Sequence, residues 1–168
     1  MLKYNYKGAL NMEFIKLETL SLHIIDKNNK GDFEFAKKLF QNKDIKKWVH
    51  GISNILSDNI KKEFFDKGFI VKDNNDYVGY LGIGSFNKQD KSVYLRAGID
   101  SDKTGKGYGK KILGEITEYI FSNYEEIESI RLKIDRENIP SLKTANACGY
   151  TWLRDDFYVK YNPYIKKK

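Results

Sequence analysis

In SVYLRAGID, residues 92–100, one side of the chain carries Val93, Leu95, Ala97 and Ile99, and the other Tyr94, Arg96 and Gly98. A period of two predicts a strand. Further on, Ile112, Leu113, Ile116, Tyr119 and Ile120 return at helical spacing, which predicts an amphipathic helix over 107–124. Between these segments Gly105, Gly107 and Gly109 alternate with Lys106 and Tyr108. Upstream, residues 12–25 alternate enough for one or two strands. GDFEFAKKLFQN follows a cap-like Asp32 and reads as a helix with Phe33, Ala36, Leu39 and Phe40 on one side. SNILSDNIKKEFFDK reads as a second helix, closed by Gly68 as the residue past its end.

GFIVKD and YVGYLGIGSF predict two strands joined by the turn-forming Asn74-Asn75-Asp76. SIRLKID predicts another strand. A short helix over 139–147 is expected to begin after Asn138, with Pro140 tolerated in its first turn. GYTWLRDDFYVKYN reads as two strands around Arg154-Asp155-Asp156. The order ββααβββαβαββ predicts an α/β domain with a mixed sheet. One domain over 12–162 is expected, with residues 1–11 and 163–168 as terminal extensions.

Composition narrows the function classes. Of 168 residues, 40% are apolar and 32% charged, ordinary for a globular protein. No apolar run approaches the ~20 residues of a membrane span, and the N-terminus lacks the pattern of a signal peptide, so a cytoplasmic protein without a membrane partner is expected. One cysteine, Cys148, excludes an internal disulfide, and with two histidines it argues against a metal site. The net charge of +7 would suit an anionic ligand. Its lysines are spread along the chain, however, and no zinc-finger, RNA-recognition or basic-heptad pattern appears, so a nucleic-acid partner is not expected.

The glycine segment is the chemical feature of the chain. A helix start exposes about four unpaired N–H groups and a partial positive charge. A phosphate docks there when the backbone is bare enough to be approached. Gly105, Gly107 and Gly109 remove the obstructing side chains, and Lys103, Lys106, Lys110 and Lys111 add charge. No window matches the Walker pattern, and GxGxxG fails from either starting glycine. An anion cradle for a pyrophosphate is expected, with a flexible loop at a glycine-rich helix start as the alternative.

TGKGYG resembles the acyl-CoA pyrophosphate loop of the GCN5-related N-acetyltransferases (GNAT), written Q/R-x-x-G-x-G/A. Thr104 stands at the Q/R position, and Gly107 and Gly109 at the two small ones. Downstream, ENIPSLKTANACGYTW is similar to the family's second signature, with Asn138, Ser141, Gly149 and Tyr150 at the expected spacings. NKDIKKWV and Ser141 look most like the ribosomal-protein N-terminal acetyltransferase (RimJ/RimL-type) subgroup. The resemblance implies a mostly antiparallel sheet of about six or seven strands flanked by about four helices and splayed in the middle.

The resemblance further implies acetyl-CoA as the acyl donor, with no metal. Its pyrophosphate would lie on Thr104, Gly105, Lys106, Gly107, Tyr108, Gly109 and Lys110. The pantetheine arm would meet backbone groups of Ala97, Gly98 and Ile99, and Asn138 and Ser141 would border it. Gly98 suits a bulge or a close approach. The Ile99 region would offer an N–H to the thioester carbonyl while an amine attacks directly. Many family members place a glutamate and a tyrosine where this chain has Lys133 and Ala145. Asp135 and Tyr158, and after them Glu137, are the substitutes for base and acid. Trp48 and His50, placed in a loop between helices, and Arg96 are candidates for the acceptor pocket. The acceptor would be a small-molecule or peptide primary amine, and the protein a monomer or homodimer. An acyl-CoA-binding regulatory module without turnover is the alternative that the missing glutamate and tyrosine suggest.

Overall fold

The computed structural model describes residues 14–26, 28–48 and 67–165. Eight strands form one sheet: β1 (Phe14–Lys16), β2 (Leu20–Ile24), β3 (Lys67–Asp73), β4 (Asp76–Ile83), β5 (Ser92–Ile99), β6 (Ser129–Lys133), β7 (Thr151–Arg154) and β8 (Phe157–Tyr161). The order across the sheet is β1-β2-β3-β4-β5-β6-β8-β7, and only β5 and β6 pair in parallel. Residues 14–24 thus form two strands. The four helices are α1 (Lys30–Gln41), α2 (Lys43–Trp48), α3 (Tyr108–Asn123) and α4 (Ile139–Ala147). The limits expected for α4 are found, whereas α2 precedes the stretch 53–67 in which the second helix is expected.

The sheet carries a core on each face. Val93, Leu95, Ile130 and Leu132 join Ile112, Ile116 and Ile120 of α3, all of them buried. Fully burying each such side chain contributes about 1.5–3 kcal/mol. Ile70 and Tyr80, from the opposite face, join Ala36, Leu39 and Phe40 of α1 and Ile45 of α2. Strand β5 therefore divides its side chains as its alternation predicts, Val93, Leu95 and Ile99 toward α3. Glu115 of α3 accepts the N–H groups of Thr19 and Leu20 at 2.9 and 3.1 Å and locks the helix to the β1–β2 turn.

Three local expectations are corrected. Asn29, not Asp32, caps α1: its Oδ1 accepts the Asp32 N–H at 3.2 Å. Asp32 is buried one turn in, where its Oδ1 meets Lys72 Nζ at 2.7 Å and the Tyr77 hydroxyl at 2.9 Å. Gly68 does not close a helix but belongs to β3, opposite Gly82. Of the helix expected over 53–67, residues 53–66 lie outside the described residues, as does His50, and Lys67 belongs to β3. Trp48 ends α2 instead of lying in a loop, because Asn42 Oδ1 accepts the Asp44 N–H at 2.8 Å and Ile45 is buried.

Candidate active site

Strand β5 is longer than its parallel partner. The β5–β6 ladder runs from Ser92 opposite Ser129 to Leu95 opposite Leu132 and stops. On the other edge, β5 stays paired with β4 as far as Ile99 opposite Gly79. The hydrogen-bonding phase follows from two bonds, Gly84 N–H to Tyr94 O at 2.8 Å and Asp100 N–H to Val78 O at 2.9 Å. Residues 94, 96, 98 and 100 therefore turn their backbone groups to β4, and 95, 97 and 99 turn theirs to the β6 side. The N–H and C=O of Ala97 and Ile99 face the split, beyond the last rung.

This narrows the expectation for Gly98, whose polar backbone groups are spent on Tyr80 across β4. Gly98 serves close approach rather than a bulge. A Cβ on Gly79 would stand 2.2 Å from Gly98 O, so β4 and β5 come together only because Gly79 has none.

The glycine segment lies immediately after β5. A 3-10 turn, Ser101–Lys103, leads into it, and Thr104 closes that turn by donating its hydroxyl to Ser101 O at 2.8 Å. The Thr104 side chain thus shapes the loop from within. Gly105 and Gly107 have φ of 73° and 82°, left-handed values that explain glycine at both positions. A Cβ on either would meet nothing within 4 Å, so the backbone there is open. Gly107 caps α3 without any side-chain hydrogen bond. The first helical bond is Lys111 N–H to Gly107 O, 3.1 Å, which leaves the N–H groups of Tyr108, Gly109 and Lys110 without a helical acceptor. Gly109 differs from the other two: a Cβ there would be in ordinary contact with Thr144 of α4, at 3.5 Å.

The four lysines separate into two pairs. Lys103 binds Asp76 at 3.2 Å and Lys111 binds Asp73 at 3.1 Å. The Tyr108 hydroxyl also donates to Asp73 Oδ2, at 3.1 Å. These contacts moor the start of α3 to the β3–β4 hairpin. The hydrogen bond from Lys111 holds the Asp73 carboxyl below the usual carboxylate range, against a partial upward push from desolvation, and Tyr108 adds to the lowering. Lys106 is exposed, as is Lys110, and neither makes an ion pair among the described residues. They are the cations left to face a ligand.

Asn138 caps α4, its Oδ1 accepting the Ser141 N–H at 3.3 Å. Asp135 is exposed in the turn after β6, and its Oδ1 accepts the Glu137 N–H at 2.8 Å. Lys47 reaches this turn from α2: its Nζ lies 3.9 Å from Glu137 Oε2 and 4.1 Å from the centre of the Trp48 ring. Trp48, half-buried, is thereby brought beside the turn that holds Asp135 and Glu137. This meeting of α2 with the end of β6 has no signal in the sequence. Tyr158 pairs across β8 with Leu132 and packs against the core on the α3 face. Arg96 lies on the opposite face and is exposed. Ala145 is wholly buried in α4, where a tyrosine ring would not fit without displacing core. Cys148 is half-buried, its Sγ 3.5 Å from Lys110 O, and burial pushes its thiol up, which does not suit an acyl carrier.

Among the described residues, no group of three His, Cys, Asp or Glu side chains could hold a metal, and no helix is long and apolar enough to cross a membrane.

Known proteins share this fold. The RimL ribosomal L7/L12 alpha-N-protein acetyltransferase in complex with coenzyme A superposes with a TM-score of 0.68 at 15% identity, over 89% of this chain and 98% of its own. Spermidine N-acetyltransferase from Vibrio cholerae, in complex with CoA and spermine, gives 0.65 at 16% identity, over 86% and 96%. A GNAT-family acetyltransferase from Bacillus anthracis gives 0.69 at 16% identity, over 89% and 98%. At such identities the likeness is one of fold. No curated protein matches the chain. The model of the acetyltransferase (GNAT) domain family matches residues 23–151, which include the split, the glycine turn and α4. That span is well over half of the chain, and the protein therefore belongs to the GNAT acetyltransferase family, whose members are acyltransferases.

Proposed function

We propose that the protein transfers an acetyl group from acetyl-CoA directly to a primary amine. The observation that carries this reading is the uncapped start of α3 at Gly107, placed next to the open edge of β5. The N–H groups of Tyr108, Gly109 and Lys110 would receive the pyrophosphate oxygens, and Lys106 and Lys110 would neutralise them. The arm's amides would pair with the backbone of Ala97 and Ile99. A preformed row of donors at the split would also polarise the thioester carbonyl.

In the reaction the amine nitrogen bonds to the thioester carbonyl carbon and the carbon–sulfur bond breaks. The proton lost by the amine must leave through a base, and the sulfur ends as a thiol. Asp135 and Glu137, in the turn after β6, are the carboxylates best placed by the chain path to take the first proton, directly or through water. Tyr158, on the α3 face, is the candidate donor to sulfur. Trp48 would line the acceptor side, as would Arg96.

Two substitutions favour a second reading. Lys133 and Ala145 stand where many relatives carry acid–base groups, which would suit a coenzyme-binding regulator without turnover. Thiol release from acetyl-CoA, measured across a panel of primary amines, separates the two. Acceptor-dependent release supports the transferase. Coenzyme binding with no release on any amine supports the regulator.

A further inference from the structure

We propose that the acceptor is an acidic peptide N-terminus, and that a cationic strip formed by Arg96, Lys133 and Arg154 selects it. This rests on the transferase reading above and names its substrate class.

The strip follows from register. Arg96 lies on the same face of β5 as Tyr94, opposite Val93 and Leu95 of the α3-side core. Tyr94 is the rung partner of Arg131 in β6, which puts Arg131 and Lys133 on that face too. Lys133 is opposite Phe157 in β8, and Phe157 is opposite Arg154 in β7. Paired residues share a face, so four cations stand together on the side of the sheet away from α3. Arg96, Lys133 and Arg154 are exposed.

Asp90 binds Arg131, 2.7 Å from Nη1. Asp156, at the β7–β8 turn, lies 3.6 Å from Arg136 Nε. Lys133 and Arg154 have no carboxylate within ion-pair distance among the described residues. Beneath them Tyr94 and Phe157 form an aromatic floor, rings 6.0 Å apart and edge to face, with Lys133 Nζ 6.0 Å from the Phe157 centre.

The position of the strip matters as much as its sign. Arg96 is the first β5 residue past the last rung, and Lys133 is the last residue of β6. The strip therefore begins at the split, where the amine has to arrive. From there it crosses three strand spacings to β7, about 14 Å. An extended peptide covers that distance in about four residues, whereas a single amino acid does not. A polyamine would bring positive charge onto positive charge. An acidic segment would set its carboxylates along the cations, with its backbone over the rings.

The test uses two peptides that share length and first residue. One carries aspartate and glutamate at positions two to four, the other lysine. With acetyl-CoA saturating, thiol release should give the acidic peptide a kcat/KM at least about tenfold higher, since each exposed pair adds a few-fold. Raising the salt should shrink that preference. The double variant Lys133→Ala, Arg154→Ala should lose most of it, through KM, with its melting temperature and coenzyme affinity retained. Equal rates, or a preference for lysine, overturn the proposal and leave the transferase reading intact. If coenzyme binds but neither peptide is acetylated, the panel of primary amines decides the transferase reading separately. Calorimetric binding of the two peptides then decides the strip: tighter binding of the acidic one supports it, equal binding overturns it.

Discussion

Leu95 faces Leu132 in the last rung between β5 and β6, and β5 continues for four more residues with only β4 beside it. A parallel pair opens here because β6 ends at Lys133 and the chain leaves through the Asp135 turn toward α4. The phase of the β4 ladder then dictates that Ala97 and Ile99, not Gly98, present backbone groups to the gap. Backbone N–H and C=O groups demand partners, and a ligand with amides of its own can supply them. The split and the uncapped helix start follow one another in the chain, so one extended ligand can use both.

Gly107→Ala tests the second half of that arrangement. At φ 82° a Cβ costs about 1–2 kcal/mol, although no neighbour blocks it. The melting temperature should fall by about 2–8 °C, and coenzyme affinity should drop by about tenfold or more. Gly109→Ala, which has no positive φ and meets Thr144 at ordinary contact distance, should change stability by less than about 1 kcal/mol. Differential scanning fluorimetry with and without coenzyme measures both.

Asp73 makes the mooring of α3 depend on acid. Its folded carboxyl lies below the ordinary range, so its contribution is complete above the unfolded value, about 3.9, and is lost as pH falls through the lower folded value. Asp73→Asn should cost about 1 kcal/mol at neutral pH, since the pair with Lys111 is only partly shielded. The variant should also lose less stability than the parent between pH 5 and pH 3. Thermal melts across that range would show parallel curves if the pair were idle.

Asp32 holds α1 to the sheet through Lys72 and Tyr77. Asp32→Ala should destabilise by about 3–5 kcal/mol, because it strands the Lys72 ammonium in a largely buried position. Adding Lys72→Met should recover a substantial part of the loss. Urea titration of the parent, single and double variants measures the coupling.

Gly114 sits inside α3 with open space where a Cβ would go. Gly114→Ala should therefore raise stability by about 0.5–1 kcal/mol, seen as a melting temperature about 1–4 °C higher.

The fold was legible because its signals are local and strong. The alternation over 92–99, the helical period after Gly109 and the Asn138–Pro140 start each specify their own element. The glycine turn was legible for the same reason, as φ 73° and 82° leave few alternatives to glycine. What was not legible depends on partners far apart in the chain. Asp32 reads as a helix cap in the sequence because Lys72 and Tyr77, its partners, are some 40 residues away. Nothing in the sequence separates Lys103 and Lys111 from Lys106 and Lys110, whereas in the fold Asp76 and Asp73 pair with the first two. In the sequence Gly98 is as available as Ala97 and Ile99, since the side of the strand that meets β4 is set by the phase of that ladder alone. The approach of Lys47 and Trp48 to Glu137 joins α2 to a turn almost 90 residues later.

The most direct measurement is a titration of the isotopically labelled protein with coenzyme A, followed by amide chemical shifts. The N–H signals of Gly105 to Lys110 should move most, with those of Ala97 and Ile99 next, while Gly98 moves less. Shifts concentrated on another surface, or an unmoved glycine turn at saturating coenzyme, would contradict the account.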